Sequence, residues 1–192
     1  MSKSEIVSRI FIKELPTGKE IFFNFKTRSS VFTEPVSNLH GFLSSLMLEG
    51  RKSYKRSPSS EKLLVLDVKK VESAAVQLAQ EADYEGCEGW QHRRVQSFFM
   101  QRDNRTLAVE IPLWSEEIDM SGFADIIRYF PSENGKPEIF QLLDFKPKAK
   151  SERKAATQLH FTKKLLSECA RIPLENIKCV YFDNQAAYEV LT

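Results

Sequence analysis

Residues 122 to 146 read GFADIIRYFPSENGKPEIFQLLDFK, and this stretch decides the fold. Its two apolar runs flank Asn134-Gly135, a dipeptide that favours the tight two-residue turn of a β-hairpin. The turn predicts an antiparallel pair of strands over residues 123–130 and 138–146. Because the midpoint of Asp125 and Asp144 falls between Asn134 and Gly135, the two carboxylates are expected to face each other across the pair.

The second strand of this hairpin carries an acid and a base on one side. Strand side chains alternate between faces, so Asp144 and Lys146 share a face while Leu143 and Phe145 enter the core on the other. Two facing carboxylates repel each other, and a divalent cation with hard oxygen ligands removes that repulsion. A neighbouring lysine can orient or deprotonate an attacking water and stabilise charge on a phosphate. The pattern of Asp125, Asp144 and Lys146 therefore indicates metal-dependent phosphate chemistry.

Outside the hairpin, the chain alternates strand-like and helix-like patterns. This order predicts one α/β domain with a mixed central β-sheet of about four or five strands flanked by helices. Further strands are predicted over residues 6–15, 21–25, 63–68, 106–114, 176–182 and 188–191, and helices over residues 38–48, 71–82, 88–101 and 151–170.

Composition sets limits on the class of protein. A length of 192 residues favours a single domain. A net charge of +2 excludes a histone-like polycation, but it leaves room for a local phosphate-binding surface. No apolar run approaches the roughly 18 residues that span a bilayer, and the start, Met-Ser-Lys-Ser-Glu, is unlike a signal peptide. We therefore expect a cytoplasmic protein with no membrane partner.

Several motifs in order resemble the PD-(D/E)xK nuclease superfamily, and in particular its RecB-like exonucleases, including the CRISPR-associated type. Residues 122–125 (GFAD) are similar to the GxxD motif, and residues 106–114 resemble the strand before it. Residues 89–92 (GWQH) resemble the helix-borne G-x-x-H motif. Residues 158–162 (QLHFT) resemble Q-x-x-x-Y, with threonine in place of the usual tyrosine. The resemblance covers residues 86–190.

The resemblance implies a restriction-endonuclease-like core over residues 86–190 of a single domain 1–192, with residues 1–80 as an N-terminal elaboration. It implies that Asp125, Asp144 and His92 hold Mg²⁺ or Mn²⁺, and an imidazole ligand suits Mn²⁺ better. It also implies that Gln158 is a catalytic residue that positions the phosphate or the lysine. No iron–sulfur cluster is expected, because the tail after Cys179 lacks the cysteines of the iron–sulfur relatives.

One further metal-ligand candidate is Glu110. Strand alternation places Val109 and Ile111 on the other face, so Glu110 is expected to point toward the site and to act as a direct or outer-sphere metal partner. Phosphate contacts are expected from the basic side chains near these motifs, which are Arg93, Arg94, Lys148, Lys150, Arg153 and Lys154.

Two other stretches need an interpretation. Residues 50–62, rich in serine and lysine, are interpreted as a mobile loop that is either solvated or in contact with DNA. Leu66-Asp67-Val68-Lys69 repeats the Asp-x-Lys pattern. It lacks a preceding acid at hairpin distance, and we do not expect it to be the active site.

Together these features predict a metal-dependent deoxyribonuclease, and the resemblance favours an exonuclease that acts on single strands or DNA ends. A structure-specific endonuclease on the same core remains an alternative. So do a non-catalytic DNA-binding module and an adaptor that needs a protein partner in a repair, replication or CRISPR-type complex.

Overall fold

The computed structural model describes residues 6–14, 20–28, 33–49, 52, 54–84 and 91–191. Within these residues the chain forms eight strands and four α-helices. In chain order they are β1 (Ile6–Glu14), β2 (Glu20–Arg28), α1 (Glu34–Glu49), β3 (Asp67–Val71), α2 (Ala74–Tyr84), α3 (Gln91–Arg102), β4 (Thr106–Ser115), β5 (Met120–Phe130), β6 (Ile139–Phe145), α4 (Ala155–Ala170), β7 (Ile177–Phe182) and β8 (Ala187–Leu191).

All eight strands belong to one sheet, in the order β1-β2-β4-β5-β6-β7-β8-β3. Only β6 and β7 pair in parallel, and α4 supplies the crossover that a parallel pair requires. The other neighbouring strands are antiparallel. The prediction of an α/β fold with a mixed central sheet flanked by helices is therefore confirmed.

Helices cover both faces of this sheet. Helices α1 and α4 pack their apolar side chains against one face, in a core that includes Leu142. Helices α2 and α3 pack on the opposite face, in a core that includes Leu143 and Phe145. Full burial of a leucine side chain contributes roughly 1.5–3 kcal/mol. These two cores fix β6, the strand that carries Asp144.

The hairpin between β5 and β6 forms as predicted. Asn134 and Gly135 have φ angles of 52° and 73°, which are the left-handed values that a type I′ turn needs at both central positions. The pairs run from Phe130 opposite Ile139 to Ile126 opposite Leu143. This register places Asp125 and Asp144 next in line, as the turn position predicted.

The sheet has more strands than the sequence suggested. The N-terminal hairpin of β1 and β2 joins the sheet through Asn24 and Phe25, which pair with Val109 and Ala108 of β4. At the opposite edge, β3 pairs with β8. The prediction of about four or five strands was wrong because these pairings join segments that are far apart in the chain, and local patterns do not specify them.

One further expectation needs correction, and a second is only partly covered by the described residues. The strand predicted over residues 63–68 begins only at Asp67, and Val65 is fully exposed. The stretch interpreted as a mobile loop, residues 50–62, lies partly outside the described residues. Its described part contains a 3₁₀-helix, Pro58–Ser60, and a bridge between Arg56 and Met120. Pro58 is buried, so this part is packed against the domain.

The helices begin and end within a few residues of the predictions. Helix α4 begins at Ala155 rather than at residue 151, because Ala149–Ser151 form a separate 3₁₀-helix. Among the residues that the structure describes, no helix has the length and apolar character needed to cross a membrane.

Candidate active site

Two carboxylates meet where the pairing between β5 and β6 ends. The last pair of that ladder is Ile126 and Leu143, and Asp125 and Asp144 follow it directly. The two carboxyl groups are close enough for each to change the pKa of the other. Asp144 still pairs with Tyr181 of β7, so the backbone of β7 holds the acid in place beyond the end of the β5 ladder.

Lys146 lies on the same side of its strand as Asp144, as strand alternation predicted. Its Nζ is 2.9 Å from Asp144 Oδ2. Its backbone N–H donates to the carbonyl oxygen of Phe182 at 2.8 Å. The lysine therefore remains tied to β7 although β6 itself ends at Phe145.

His92 comes to this site from α3 on the other side of the sheet. Its Nε2 is 2.9 Å from Asp125 Oδ2, and its ring lies edge-on to the ring of Phe145 with centroids 6.0 Å apart. The sequence resemblance implied a metal-ligating histidine here, and the structure places the imidazole beside the first acid. The first two residues of that motif, Gly89 and Trp90, lie outside the described residues.

Glu110 reaches the same place, but not by regular strand alternation. Val109 and Ile111 belong to the cores on opposite faces of the sheet, so the expectation that they share a face was wrong. The cause is the backbone of Glu110, whose φ of 55° is left-handed and interrupts the period-two alternation. The ligand atoms of His92, Glu110 and Asp125 lie within 4.8 Å of one another.

Gln96 is a site residue that sequence reasoning missed. It is buried, and its side-chain amide donates a hydrogen bond to Glu110 Oε1. It lies one helical turn after His92, and side chains four residues apart share a helix face. That spacing was the signal available in the sequence.

The four predicted catalytic residues line one cavity of about 360 Å³. Asp125, Asp144 and Lys146 line it from the strands, and Gln158 lines it from α4. Residues 57–59 and 121–123 complete the wall. His92 and Glu110 are not among the lining residues, and they contact Asp125 from outside the cavity.

The charges of the cavity change the acidity of its groups. Burial, together with the negative charge of Asp125, raises the pKa of Asp144 well above its ordinary value, and the Lys146 ammonium only partly opposes this. Burial lowers the pKa of Lys146, but the charge and hydrogen bond of Asp144 outweigh it, so the pKa of the lysine is raised. Lys146 is therefore a cation at neutral pH.

Burial and neighbouring charges also shift the pKa values of Asp125, His92 and Glu110. Burial opposes ionisation of Asp125, yet the hydrogen bond from His92 holds its pKa below the ordinary value. Burial lowers the pKa of His92, but the hydrogen bond and charge of Asp125 outweigh it and raise that pKa. Burial and the charge of Asp125 raise the pKa of Glu110.

The structure brings ligand atoms of His92, Glu110 and Asp125 together in a group that could hold a cation, and the predicted ligand Asp144 is not part of that group. Asp144 Oδ1 is buried and has no hydrogen-bond partner among the residues that the structure describes, and a buried acceptor without a partner is costly. Glu110 and Asp144 each lie close to Asp125, and the ammonium group of Lys146 pairs with Asp144. Carboxylate oxygens are the ligands that Mg²⁺ and Mn²⁺ prefer, and the imidazole of His92 suits Mn²⁺.

The predicted phosphate contacts are mostly solvent-exposed. Arg94 differs, because it is only partly exposed and its Nε is buried without a hydrogen-bond partner among the described residues. The exposed side chains are those of Arg93, Lys148, Lys150, Arg153 and Lys154. Four of these five follow Lys146 in the chain, so positive charge lies on the segment that leaves the cavity.

The second Asp-x-Lys sequence lies elsewhere in the molecule. Asp67 and Lys69 are exposed on β3, an edge strand that β7 and β8 separate from β6. The buried pair of acids therefore lies at Asp125 and Asp144, as the hairpin spacing predicted.

The two cysteines in the described part of the chain do not resemble nucleophiles. Burial raises the pKa of the Cys169 thiol to about 11 and that of the Cys179 thiol to about 12. Thiols with such pKa values are protonated at neutral pH, and the thiolate is the reactive form. Neither residue lines the cavity.

No family model, curated protein or solved structure that was compared with the chain matches it. The chemistry of the site is therefore argued from its own residues.

Proposed function

We propose that this chain is a metal-dependent deoxyribonuclease that hydrolyses DNA phosphodiester bonds. The observation that carries the proposal is the arrangement of Asp125, Asp144 and Lys146 in one cavity. The buried carboxylate of Asp144 and the half-buried carboxylate of Asp125 lie next to each other, and the repulsion between two such charges destabilises a folded chain. A bound cation relieves this cost, and an adjacent ammonium group suits an anionic substrate.

Asp125, Asp144 and His92 would hold the ion, and Glu110 would bind it directly or through water. When bound, Mg²⁺ or Mn²⁺ supplies a water of lowered pKa and neutralises charge on a phosphate. The buried Asp144 Oδ1 is available as a ligand atom, and Gln96 orients Glu110 toward the cluster. This chain's contribution is a rigid set of ligands on three strands and α3.

Lys146 acts in this proposal as a hydrogen-bond donor and a fixed charge. The charges of Asp144 and Asp125 raise its pKa in the metal-free protein, and as an ammonium group it would orient water or stabilise a phosphate oxygen. Gln158 lines the same cavity with a neutral amide that donates without adding charge. Together the two side chains would position the scissile phosphate beside the carboxylates.

DNA is the substrate that the surrounding charges favour. Lys148 and Lys150 are exposed just after Lys146, and such side chains contact phosphates without reading sequence. The resemblance to RecB-like exonucleases adds the expectation of attack at ends or on single strands. An endonuclease would use the same residues.

A cleavage assay tests this proposal. The substrates are 5′- and 3′-labelled single- and double-stranded DNA and a circular single strand, each with Mn²⁺, Mg²⁺ or EDTA. The wild type should cut with a metal and not in EDTA, and Asp144→Asn should lose activity. Asp67→Asn, in the second Asp-x-Lys sequence, is the matched control and should cut like the wild type.

The label pattern and the circle distinguish the modes of cleavage. Resistance of the circular strand indicates an exonuclease, and its linearisation indicates an endonuclease. If the wild type cuts no substrate with either metal, the proposed activity is wrong for this chain.

A further inference from the structure

One segment, residues 54–64, spans the rim of the candidate active site, and we call it the strap. Its first part is fixed to the loop before β5 and to the start of that strand. The Tyr54 N–H donates to Ser121 Oγ at 3.0 Å, and the Ser121 N–H donates to the Arg56 carbonyl at 3.0 Å. Arg56 also donates through Nη1 to the Ile118 carbonyl at 3.1 Å.

The far part of the strap is fixed to α4. The Leu64 N–H donates to Oγ1 of the buried Thr157 at 3.0 Å. Lys154 Nζ, at the start of that helix, donates to the Ser59 carbonyl at 3.3 Å. The strap thus connects β5 to α4, the two elements that carry Asp125 and Gln158.

Between these two attachments the strap forms part of the cavity wall. Ser57, Pro58 and Ser59 line the same cavity as Asp144 and Lys146. The Ser57 N–H donates to Ser60 Oγ at 3.1 Å, and this closes the 3₁₀ turn on itself. A segment held at both ends and internally bonded is a defined boundary of the site.

Pro58 lies directly against Gly122. A Cβ atom added to Gly122 would lie 2.8 Å from Pro58 Cδ and 2.9 Å from Pro58 Cγ, closer than side-chain carbons approach one another. Its backbone does not require glycine, since its φ is not in the left-handed region. Glycine at position 122 is therefore needed for close approach of the strap.

The part of the strap that lines the cavity carries no charge. It consists of Ser57, Pro58 and Ser59. Arg56 pairs with Glu61 through two hydrogen bonds of 2.9 and 2.8 Å. Lys55 and Lys62 are exposed on the strap outside the cavity wall. At the cavity itself the strap therefore acts on a ligand mainly through its shape.

We propose that the strap makes this site selective for an unpaired strand over a duplex. A cavity of about 360 Å³ is near the lower end of the roughly 300–1,000 Å³ of small-molecule sites. It has room for about one nucleotide unit beside the carboxylates and not for both strands of a helix. With Pro58 against Gly122, an unpaired nucleotide can enter, whereas the partner strand of a duplex meets the strap. This inference rests on the proposed function.

Binding of fluorescent DNA in Ca²⁺, followed by anisotropy, tests the strap apart from catalysis. The probes are a short oligo-dT strand and a blunt hairpin duplex with a stem of the same length. The wild type should bind the strand at least about tenfold more tightly than the duplex. Gly122→Ala, which forces Pro58 away, should reduce that preference to about threefold or less.

A second substitution, at Pro58, tests whether the contact between Pro58 and residue 122 causes the change in preference. Pro58→Ala lacks Cγ and Cδ, so Gly122→Ala combined with Pro58→Ala has room for the new Cβ and should recover the preference of the wild type. An equal preference in the wild type and Gly122→Ala would overturn the proposal, as would equal wild-type affinity for strand and duplex. If Gly122→Ala fails to fold, failure of the soluble double variant to recover the preference is the overturning result.

The two proposals fail separately. A wild type that cleaves strand and duplex at equal rates keeps the nuclease function and refutes the selective strap. A wild type that cleaves nothing, yet binds the strand selectively and loses that selectivity in Gly122→Ala, keeps the strap and refutes the nuclease function.

Discussion

Lys146 Nζ lies 2.9 Å from Asp144 Oδ2, while Oδ1 of the same carboxyl is buried without a hydrogen-bond partner among the described residues. The lysine therefore pairs with one oxygen of the carboxyl, and the other oxygen is left as a candidate ligand atom. This asymmetry suits an acid that binds a cation through one oxygen and pairs with a lysine through the other. It also makes the site costly in the absence of a cation.

Removal of one negative charge should stabilise the metal-free protein. Asp144→Asn keeps the shape of the side chain and ends its repulsion with Asp125, so in EDTA at pH 8 we expect Tm to rise. A rise of about 2–4 °C corresponds to about 1 kcal/mol for a chain of this size. Differential scanning calorimetry measures it, and a lower Tm for Asp144→Asn would contradict the repulsion argument. Added Mn²⁺ should raise the Tm of the wild type and leave that of Asp144→Asn nearly unchanged.

The pH dependence of stability should reflect His92. A histidine with a raised pKa in the folded state binds its proton more tightly there than in the unfolded chain. Its contribution is fully present below the unfolded pKa of about 6.5 and is lost as pH rises through the folded value. Urea unfolding in EDTA at pH 6, 7 and 8 should show wild-type stability falling with pH relative to His92→Gln. Parallel stability curves for the two proteins would refute this role.

The hydrogen bond from Gln96 should control metal affinity through Glu110. Gln96→Leu keeps the volume of a buried side chain but removes the donor, so Glu110 loses its orientation. Loss of such an outer partner costs about 10–100-fold in metal affinity. Isothermal titration with Mn²⁺ measures this change. Gln101→Leu, an exposed position on the same helix, is the control, and equal Mn²⁺ affinity in both variants would count against Gln96.

The turn that aligns the two acids should depend on its glycine. Gly135 has a φ of 73° and open space around its missing side chain, so Gly135→Ala changes only the backbone preference. The left-handed conformation should cost about 1–2 kcal/mol in unfolding free energy. Gly41→Ala, within α1 and also with open space, should instead stabilise by about 0.5–1 kcal/mol. Chemical denaturation measures both, and equal effects would contradict the turn assignment.

Local rules were enough to predict the centre of the site. A two-residue turn fixes the register of a hairpin, so the position of Asn134-Gly135 placed Asp125 beside Asp144. The period of two along a strand placed Lys146 beside Asp144. These rules need no knowledge of the rest of the chain.

The position of the residues around the site depends on contacts between distant parts of the chain, and local sequence rules do not predict such contacts. Glu110 reaches the cluster through a left-handed backbone that nothing in its neighbours signals. The strap packs Pro58 on Gly122 across 64 positions of sequence, and the N-terminal hairpin joins β4 across more than 80. Such pairings are decided by the packing of the whole domain, which explains why the number of strands in the sheet was predicted incorrectly and why the packing of Pro58 was not predicted.

Whether DNA is cut at the cavity of Asp125 and Asp144 is tested most simply by substituting the lysine of each Asp-x-Lys sequence and comparing both variants in one assay. Release of nucleotides from labelled single-stranded DNA is followed with Mn²⁺ for the wild type, Lys146→Ala and Lys69→Ala. We expect at least about a hundredfold loss of rate for Lys146→Ala, and we expect Lys69→Ala to cleave DNA like the wild type. Equal rates for Lys146→Ala and the wild type, or a loss in Lys69→Ala alone, would show that the cavity at Asp125 and Asp144 is not where DNA is cut.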